Sequence, residues 1–250
     1  MRPIGLLLLL LAALAAACEI QPSATGPFQG RNPLEEQLRP PAGVERREGV
    51  AAAVLMDTSG SMEEGVAGAD GNKVEKIVIA RRAVTSLVRQ FEEYAQKNPG
   101  RAVVVGVYEF STRDSLPHCR VVIPIGPPDS QAASEAVERM VPAGGTPIGD
   151  AMILAKRDLD RWGMTRRHML VITDGKNNKG YSPGAVADVL SRQDEADRAA
   201  VYFIAFDIEA ERFSAVKEAG GLVMAAANER DLNQTIDFIL TGKILAEQPQ

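Results

Sequence analysis

The chain has 250 residues, of which 45% are hydrophobic, so it is long enough for one sizeable domain but too short for two ordinary domains with linkers. It carries 28 basic and 33 acidic residues, with a formal net charge of −5 and a pI near 5.3. An acidic chain without a basic surface is a poor match for nucleic acid, so we expect no nucleic-acid partner.

The first residues have the pattern of a secretory signal peptide. Met1 and Arg2 precede a run of Leu and Ala that extends from Ile4 to Ala17. This run of about 14 residues is shorter than the ~20 that a transmembrane helix needs. We therefore predict a signal peptide over residues 1–17, secretion across the cytoplasmic membrane, and no membrane-spanning helix in the mature protein.

Two kinds of processing fit the end of this segment. The sequence from Leu14 to Cys18 resembles the lipobox of bacterial lipoproteins, with Ala15 at the position where leucine is commonest. We favour this interpretation, which makes Cys18 the lipidated residue and anchors the protein to a membrane of the bacterial envelope. The alternative is cleavage after a small-x-small motif, which would leave Cys18 free to pair with Cys119 in an oxidising compartment.

Residues 18–48 are predicted to form a flexible tether behind the lipidated cysteine. This stretch is rich in proline and glycine and has few large apolar residues, as in Pro40-Pro41 and Gly43. A folded domain is predicted for residues 49–245, and residues 246–250 are predicted to be a short tail.

From Gly49 onward, short β-branched runs alternate with longer segments of helical period. This pattern predicts an α/β fold with a central, mostly parallel sheet of about six strands and helices on both faces. The second and third strands are expected to form a hairpin, which makes the third an antiparallel edge strand. The predicted strands are Val50 to Asp57, Ala102 to Phe110, Arg120 to Ile125, His168 to Thr173, Ala200 to Asp207 and Leu222 to Ala226. The predicted helices are Lys73 to Lys97, Ser130 to Met140, Pro147 to Trp162, Pro183 to Ala199, Glu211 to Ala219 and Asp231 to about Leu245.

The first predicted strand ends in a cluster of oxygen donors. Asp57, Ser59 and Ser61 alternate in Asp-Thr-Ser-Gly-Ser, at the edge where an open parallel sheet forms its ligand crevice. Hydroxyls and carboxylates contributed by several loops suit a hard dication such as Mg²⁺, which retains some of its water. Taken alone, this spacing is equally typical of a serine-rich turn that caps a helix.

Two later segments add donors to the same edge. Gly144-Gly145-Thr146-Pro147 opens a helix, with Thr146 predicted as the N-cap and Pro147 as the first helical residue. Asp174 follows the fourth predicted strand directly. If that strand is a parallel neighbour of the first, its carboxylate lies opposite Asp57.

These three motifs, in this order, resemble the metal-ion-dependent adhesion site of von Willebrand factor A domains. The resemblance covers roughly Gly49 to Leu245 and includes Lys73-Val74-Glu75, where the family often has a similar lysine-hydrophobic-glutamate sequence. It implies a Rossmann-like fold and a cation, most readily Mg²⁺ with Mn²⁺ or Ca²⁺ as alternatives. It assigns the metal to Asp57, Ser59, Ser61, Thr146 and Asp174.

The resemblance also implies a function. Three of the five ligands are neutral hydroxyls, so the cation keeps part of its positive charge. It can therefore bind a carboxylate from a partner protein. We therefore expect a protein-binding, adhesion-like module outside the cytoplasm, and no enzyme. One alternative is a structural or assembly lipoprotein of the envelope that a metal stabilises. The other is a Mg²⁺-dependent phosphatase-like hydrolase. This alternative fits poorly, because such enzymes have a second aspartate at the position of Ser59, where it acts as acid and base.

The remaining polar residues are expected to be structural. His118 and His168 are far apart in sequence and fit no zinc or catalytic motif. Asp150 should stabilise the first turn of its helix. The glycine-rich segment from Glu63 to Asn72 and the loop from Asn177 to Tyr181 lie at the rim of the predicted site, and we expect the first to be mobile and the second to be mostly solvated.

Overall fold

A computed structural model describes residues 32–113 and 118–246. The predicted signal peptide, the predicted lipidation site at Cys18, the first part of the predicted tether and the tail from residue 247 onward lie outside the described residues. The signal peptide and the lipid anchor therefore stay predictions.

The strands and helices follow the alternation seen in the sequence. In chain order the strands are β1 (Arg47–Asp57), β2 (Gly65–Ala67), β3 (Lys73–Glu75), β4 (Ala102–Phe110), β5 (Cys119–Gly126), β6 (Met164–Thr173), β7 (Ala199–Phe206) and β8 (Leu222–Ala226). The α-helices are α1 (Pro33–Gln37), α2 (Lys76–Lys97), α3 (Ser130–Val137), α4 (Ile148–Trp162), α5 (Pro183–Ser191), α6 (Ser214–Glu218) and α7 (Glu229–Ile239). A π-helical turn, Leu240–Ile244, extends α7.

The main sheet has six strands in the order β5-β4-β1-β6-β7-β8. All neighbouring pairs are parallel except β4 with β5, which is the antiparallel edge hairpin expected from the sequence. The predicted Rossmann-like α/β class is therefore confirmed. Because Met56 of β1 pairs with Ile172 of β6, the residues that follow these two central strands meet at one edge of the sheet.

The alternation of side chains along β1 explains why this strand is apolar throughout. Val50, Val54 and Met56 contribute to the core on one face of the sheet, where α2 and α7 pack. Ala53 and Leu55 point to the other core, which is covered by α4 and α5. A strand covered by helices on both faces has no side that needs polar residues.

The predicted tether is wrong for residues 32–48, because this stretch packs against the domain. Asn32 caps the short helix α1 by accepting a hydrogen bond from the Leu34 amide at 3.1 Å. Leu34 and Leu38, four residues apart, are buried in the core beneath α4 and α5. Gln193 Nε2 then donates to the Leu38 carbonyl at 2.7 Å. Two buried leucines, together with a few hydrogen bonds, thus attach a segment whose composition is typical of a linker.

Helices α5 and α2 also differ from the predicted bounds. Helix α5 ends at Ser191, eight residues before the predicted end at Ala199, because the following polar residues form a turn in which the Asp197 amide donates to the Asp194 carbonyl at 2.8 Å. At the rim, residues 65–75 form the antiparallel pair β2-β3, so α2 begins at Lys76 instead of Lys73. Among the described residues, no helix has the length and apolar character needed to cross a membrane.

Candidate metal centre

Asp57 lies at the carboxyl end of β1 and is fully buried. Its Oδ1 accepts a hydrogen bond from the Ser59 amide at 2.7 Å, and its Oδ2 accepts one from the Thr173 hydroxyl at 2.5 Å. The first bond forms an Asx turn, in which the aspartate side chain accepts from the amide two residues later and the chain reverses sharply after the strand. The second bond links the ends of β1 and β6.

The turn after Asp57 brings two hydroxyls together. A single 3-10 turn at Gly60–Glu63 follows Ser59 and places Ser59 Oγ 3.2 Å from Ser61 Oγ. The Ser61 hydroxyl then donates to Asp174 Oδ1 at 2.8 Å. The Asp-x-Ser-x-Ser motif of one loop is thereby joined directly to the aspartate that follows β6.

Thr146 reaches the same edge from a third loop. The Gly60 amide donates to the Gly144 carbonyl at 3.0 Å, so this loop lies against the serine turn. Gly144 has a φ of 68°, and a Cβ there would lie 1.7 Å from the Thr112 carbonyl oxygen, so only glycine fits. A Cβ added at Gly175 would lie 3.1 Å from Thr146 Oγ1 and 3.8 Å from Asp57 Oδ2. Gly175 therefore leaves space beside both oxygens.

The predicted N-cap of α4 is off by one residue. The cap is Pro147, its side chain makes no cap hydrogen bond, and the helix begins at Ile148. The Ile148 amide donates instead to Asn177 Oδ1 at 2.8 Å, and the Thr146 amide donates to Asn178 Oδ1 at 2.8 Å. Because these two asparagines satisfy the backbone, the Thr146 hydroxyl is available for another partner.

Asn177 and Asn178 lie in a loop that the sequence predicts to be mostly solvated, yet both side chains accept backbone hydrogen bonds. Their side chains join the loop after β6 to the loop before α4, and so fix Thr146 relative to Asp174. A pair of asparagines after a strand is equally common in exposed turns.

Lys76 is a residue of this centre that the sequence analysis missed. Its ammonium lies 2.9 Å from Asp174 Oδ2, 3.0 Å from Asp207 Oδ2 and 3.1 Å from Glu64 Oε2. Its side chain is only 3% exposed. The one available signal was its position at the start of a helix, where a cation opposes the helix dipole and needs acidic partners.

The electrostatics of the two aspartates favour a cation. Burial, followed by repulsion from Asp174, raises the pKa of Asp57 to about 7, although hydrogen bonds from Thr173 and Ser59 act in the opposite direction. Burial alone would lower the pKa of Lys76, but its hydrogen bonds to Asp174 and Asp207 outweigh this effect and raise the pKa above its usual value. A positive charge close to Asp57 would relieve the cost of ionising it.

The structure thus brings all five predicted ligand residues to one edge of the sheet, and their donor atoms suit a hard dication. Two are carboxylates and three are hydroxyls, contributed by three separate loops. Within residues 32–113 and 118–246, no three His, Cys, Asp or Glu side chains are grouped so as to hold a metal ion. The candidate centre is of a different kind, since hydroxyls supply most of its donors.

The other polar residues singled out from the sequence lie away from these ligands. His168 is in the middle of β6, paired with Ala52, with Nδ1 3.3 Å from the Tyr202 hydroxyl. His118 Nδ1 lies 3.7 Å from Asp150 Oδ2. Asp150 is in the first turn of α4, where an acid is favourable, and it also accepts a hydrogen bond from the Tyr181 amide at 3.0 Å.

Comparison with known protein families gives one match, described as von Willebrand factor type A domain, over residues 52–177. This range contains the five candidate ligands and half of the chain. No curated protein sequence matches the chain.

Solved structures with similar folds come from several bacteria. A von Willebrand factor type A protein from Catenulispora acidiphila has a TM-score of 0.61 and 20% identity, over 80% of this chain and 44% of that one. The PilB minor pilin from Streptococcus sanguinis has a TM-score of 0.59 and 14% identity, over 81% of this chain and 63% of that one. BatB, a conserved hypothetical protein from Bacteroides thetaiotaomicron, has a TM-score of 0.56 and 19% identity, over 77% of this chain and 100% of that one. The chain spans less than two thirds of the pilin, and at these identities the likeness concerns the fold alone.

Proposed function

This chain belongs to the von Willebrand factor type A family, and from that premise we propose that it is a protein-binding module outside the cytoplasm that captures an acidic group of a partner through a divalent cation. The observation that carries the proposal is the convergence of three loops on one edge of the sheet. There Ser61 bridges toward Asp174 at 2.8 Å, and Ser59 and Ser61 lie 3.2 Å apart beside the buried Asp57.

The proposed cation is Mg²⁺, with Mn²⁺ and Ca²⁺ as alternatives. Ser59, Ser61 and Thr146 would offer hydroxyl oxygens, and Asp57 and Asp174 would offer carboxylates, either directly or through water. Such a set leaves the cation with affinity for one more anionic oxygen on its solvent side. Ser61 is partly exposed, whereas Asp57 and Ser59 are buried, so a ligand would approach over the serine turn. We therefore propose a carboxylate of a partner protein as the ligand.

The location rests on the sequence of the first 18 residues. We propose that the chain is exported by its signal peptide, lipidated at Cys18 and held on a membrane of the bacterial envelope. In this form Cys119 has no disulfide partner within the chain. Mass spectrometry of the mature N-terminus tests the proposal, since a diacylated or triacylated Cys18 has a mass that simple cleavage cannot give.

We also propose that the site is not catalytic. Asp57 is fully buried, and its two carboxylate oxygens accept hydrogen bonds from the protein at 2.7 and 2.5 Å, so the carboxylate is poorly placed to attack a substrate. In phosphatases with a similar motif, an aspartate at the position of Ser59 acts as acid and base. Here the Ser59 hydroxyl contacts Ser61 instead. This part of the proposal would be overturned if the protein hydrolysed a generic phosphate ester with Mg²⁺ and if Asp57→Asn abolished that activity.

Metal binding is tested first, with the metal alone. Isothermal titration of the purified protein with Mn²⁺ and with Mg²⁺ should show one site per chain, which Asp57→Ala removes. Asp70→Ala is the matched control, because Asp70 is an exposed aspartate at the rim and should leave the affinity unchanged. Absence of binding to the wild-type protein, or unchanged binding to Asp57→Ala, would contradict the proposal.

Partner capture is tested second. The protein is used as bait in envelope extract with Mg²⁺ or with EDTA, and Asp57→Ala is the negative control. A partner retained only with Mg²⁺ and only by the wild-type protein supports adhesion-like binding. If the metal strongly raises the melting temperature of the protein but no partner depends on the metal, the structural alternative is favoured.

A further inference from the structure

Lys76 places a positive charge beside the proposed metal ligands. It is the first residue of α2, and its ammonium is held by three carboxylates, those of Asp174, Asp207 and Glu64. The three partners differ in accessibility: the Asp174 side chain is 0% exposed, that of Asp207 is 41% exposed and that of Glu64 is 71% exposed. The ammonium therefore joins one buried carboxylate of the site to two solvated carboxylates outside it.

Two effects oppose a charged residue at this position, and the acidic partners of Lys76 outweigh them. The amino end of a helix carries a partial positive charge, so an ammonium there is unfavourable. Burying the ammonium adds a desolvation cost. A shorter or neutral residue at position 76 would avoid both costs if the only requirement were to begin the helix.

Asp174 shows what the ammonium competes with. The Ser61 hydroxyl occupies Oδ1 and the Lys76 ammonium occupies Oδ2. Each oxygen of Asp174 has a second lone pair, so a dication that binds Asp174 directly would either share the carboxylate with the ammonium or displace it. The ammonium would then lie close to two further positive charges, unless Asp207 and Glu64 drew it away.

We propose that Lys76 is a built-in competitor of the dication for Asp174, and that Asp207 and Glu64 tune this competition by offering the ammonium alternative partners. The inference rests on the proposed metal site and deepens it. Lys76 weakens the affinity for the metal, whereas Asp207 and Glu64 strengthen it.

The first test removes the competitor. Lys76→Met keeps the length of the side chain without its charge and should tighten Mn²⁺ binding by about tenfold or more, since a charge this close to a carboxylate typically changes an equilibrium by roughly one to three orders of magnitude. The measurement is isothermal titration of the full protein with Mn²⁺ alone. Lys73→Met is the matched control, because Lys73 is an exposed lysine on β3 and should leave the affinity unchanged.

The second test strengthens the competitor and also guards against a folding defect in Lys76→Met. Asp207→Asn removes an acid that holds the ammonium, so Lys76 should bind Asp174 more strongly and Mn²⁺ affinity should fall. Asp207 has a φ of 54°, which asparagine also adopts readily, so the backbone should not change. Glu63→Gln is the control for a general loss of negative charge, because Glu63 is exposed on the serine turn and makes no ion pair among the described residues.

The outcomes separate this inference from the metal site itself. Tighter binding to Lys76→Met, together with weaker binding to Asp207→Asn than to Glu63→Gln, supports the competition. If the wild-type protein binds Mn²⁺ but Lys76→Met binds it equally or more weakly, the competition is wrong and the metal site stands. If neither protein binds Mn²⁺, the metal site and the inference both fail.

Discussion

Replacing His168 with glutamine should make the protein less sensitive to acid. His168 lies in β6, 2% exposed, with Nδ1 3.3 Å from the hydroxyl of Tyr202. Burial, followed by repulsion from Arg166, lowers its pKa from 6.5 to about 3. The folded protein therefore keeps this imidazole neutral across the range in which the unfolded chain protonates it.

The sign and size of the effect follow from proton linkage. Between pH 6.5 and about 3, the unfolded state binds one more proton at this position than the folded state does. The stability associated with neutral His168 is therefore fully present above pH 6.5 and is lost as the pH falls, by about 1.4 kcal/mol per pH unit. At pH 5 the loss amounts to about 2 kcal/mol, a large share of the ~5–15 kcal/mol that stabilises a typical domain.

Urea unfolding at pH 7.5 and at pH 5.0, in EDTA, measures the effect. The decrease in the free energy of unfolding between the two pH values should be about 2 kcal/mol smaller in His168→Gln than in the wild type. Glutamine keeps a polar group within reach of Tyr202 but does not titrate. Tyr202→Phe is the control, because it removes the hydroxyl partner and leaves the imidazole in place. An equal pH dependence in the wild type and His168→Gln would refute the reasoning.

Three further predictions concern the loops and the amino-terminal segment. Asn177→Ala removes the acceptor for the Ile148 amide and should cost about 1 kcal/mol in urea unfolding, as loss of a helix cap does; an unchanged midpoint would contradict the assigned cap. Leu38→Ala should cost about 2–5 kcal/mol because Leu38 is fully buried, and a loss below about 0.5 kcal/mol, as at a surface position, would show that the segment is only loosely attached. Gly175→Val should abolish Mn²⁺ binding in calorimetry while circular dichroism stays native, since its Cβ would lie 3.1 Å from Thr146 Oγ1; retained affinity would place the metal elsewhere.

The sheet could be predicted because its strands are long and apolar. Strands β4 and β8 have the predicted bounds, because each is a largely apolar run that begins directly after a polar or glycine residue, Arg101 and Gly221 respectively. The pair β2-β3 was missed because strands of three residues carry too little alternation to detect. The packing of residues 32–48 was missed because a few tertiary contacts, chiefly those of Leu34 and Leu38, outweigh a composition typical of linkers.

The positions of the candidate site residues could be predicted because each lies at or shortly after the end of a strand, or shortly before a helix, and the topology of a parallel sheet brings such positions together. The residues that support them could not. Asn177 and Asn178 act through side-chain amides across two loops, and Lys76 reaches Asp174 over a separation of 98 residues. Contacts of this kind depend on loop conformation, which the periodicity of a sequence does not describe.

The position of β1 has a mechanical consequence. This strand runs from Arg47, next to the amino-terminal segment, to Asp57 in the proposed metal centre, and its 11 residues span about 35 Å. If the chain is anchored ahead of residue 32 and a partner is bound at the metal, tension that passes beyond the contacts of Leu34 and Leu38 acts on this strand. Because β1 lies between β4 and β6, that tension loads two ladders of hydrogen bonds in shear at the same time. A pull on the bound partner would thus act on an interior strand of the sheet instead of peeling away an edge.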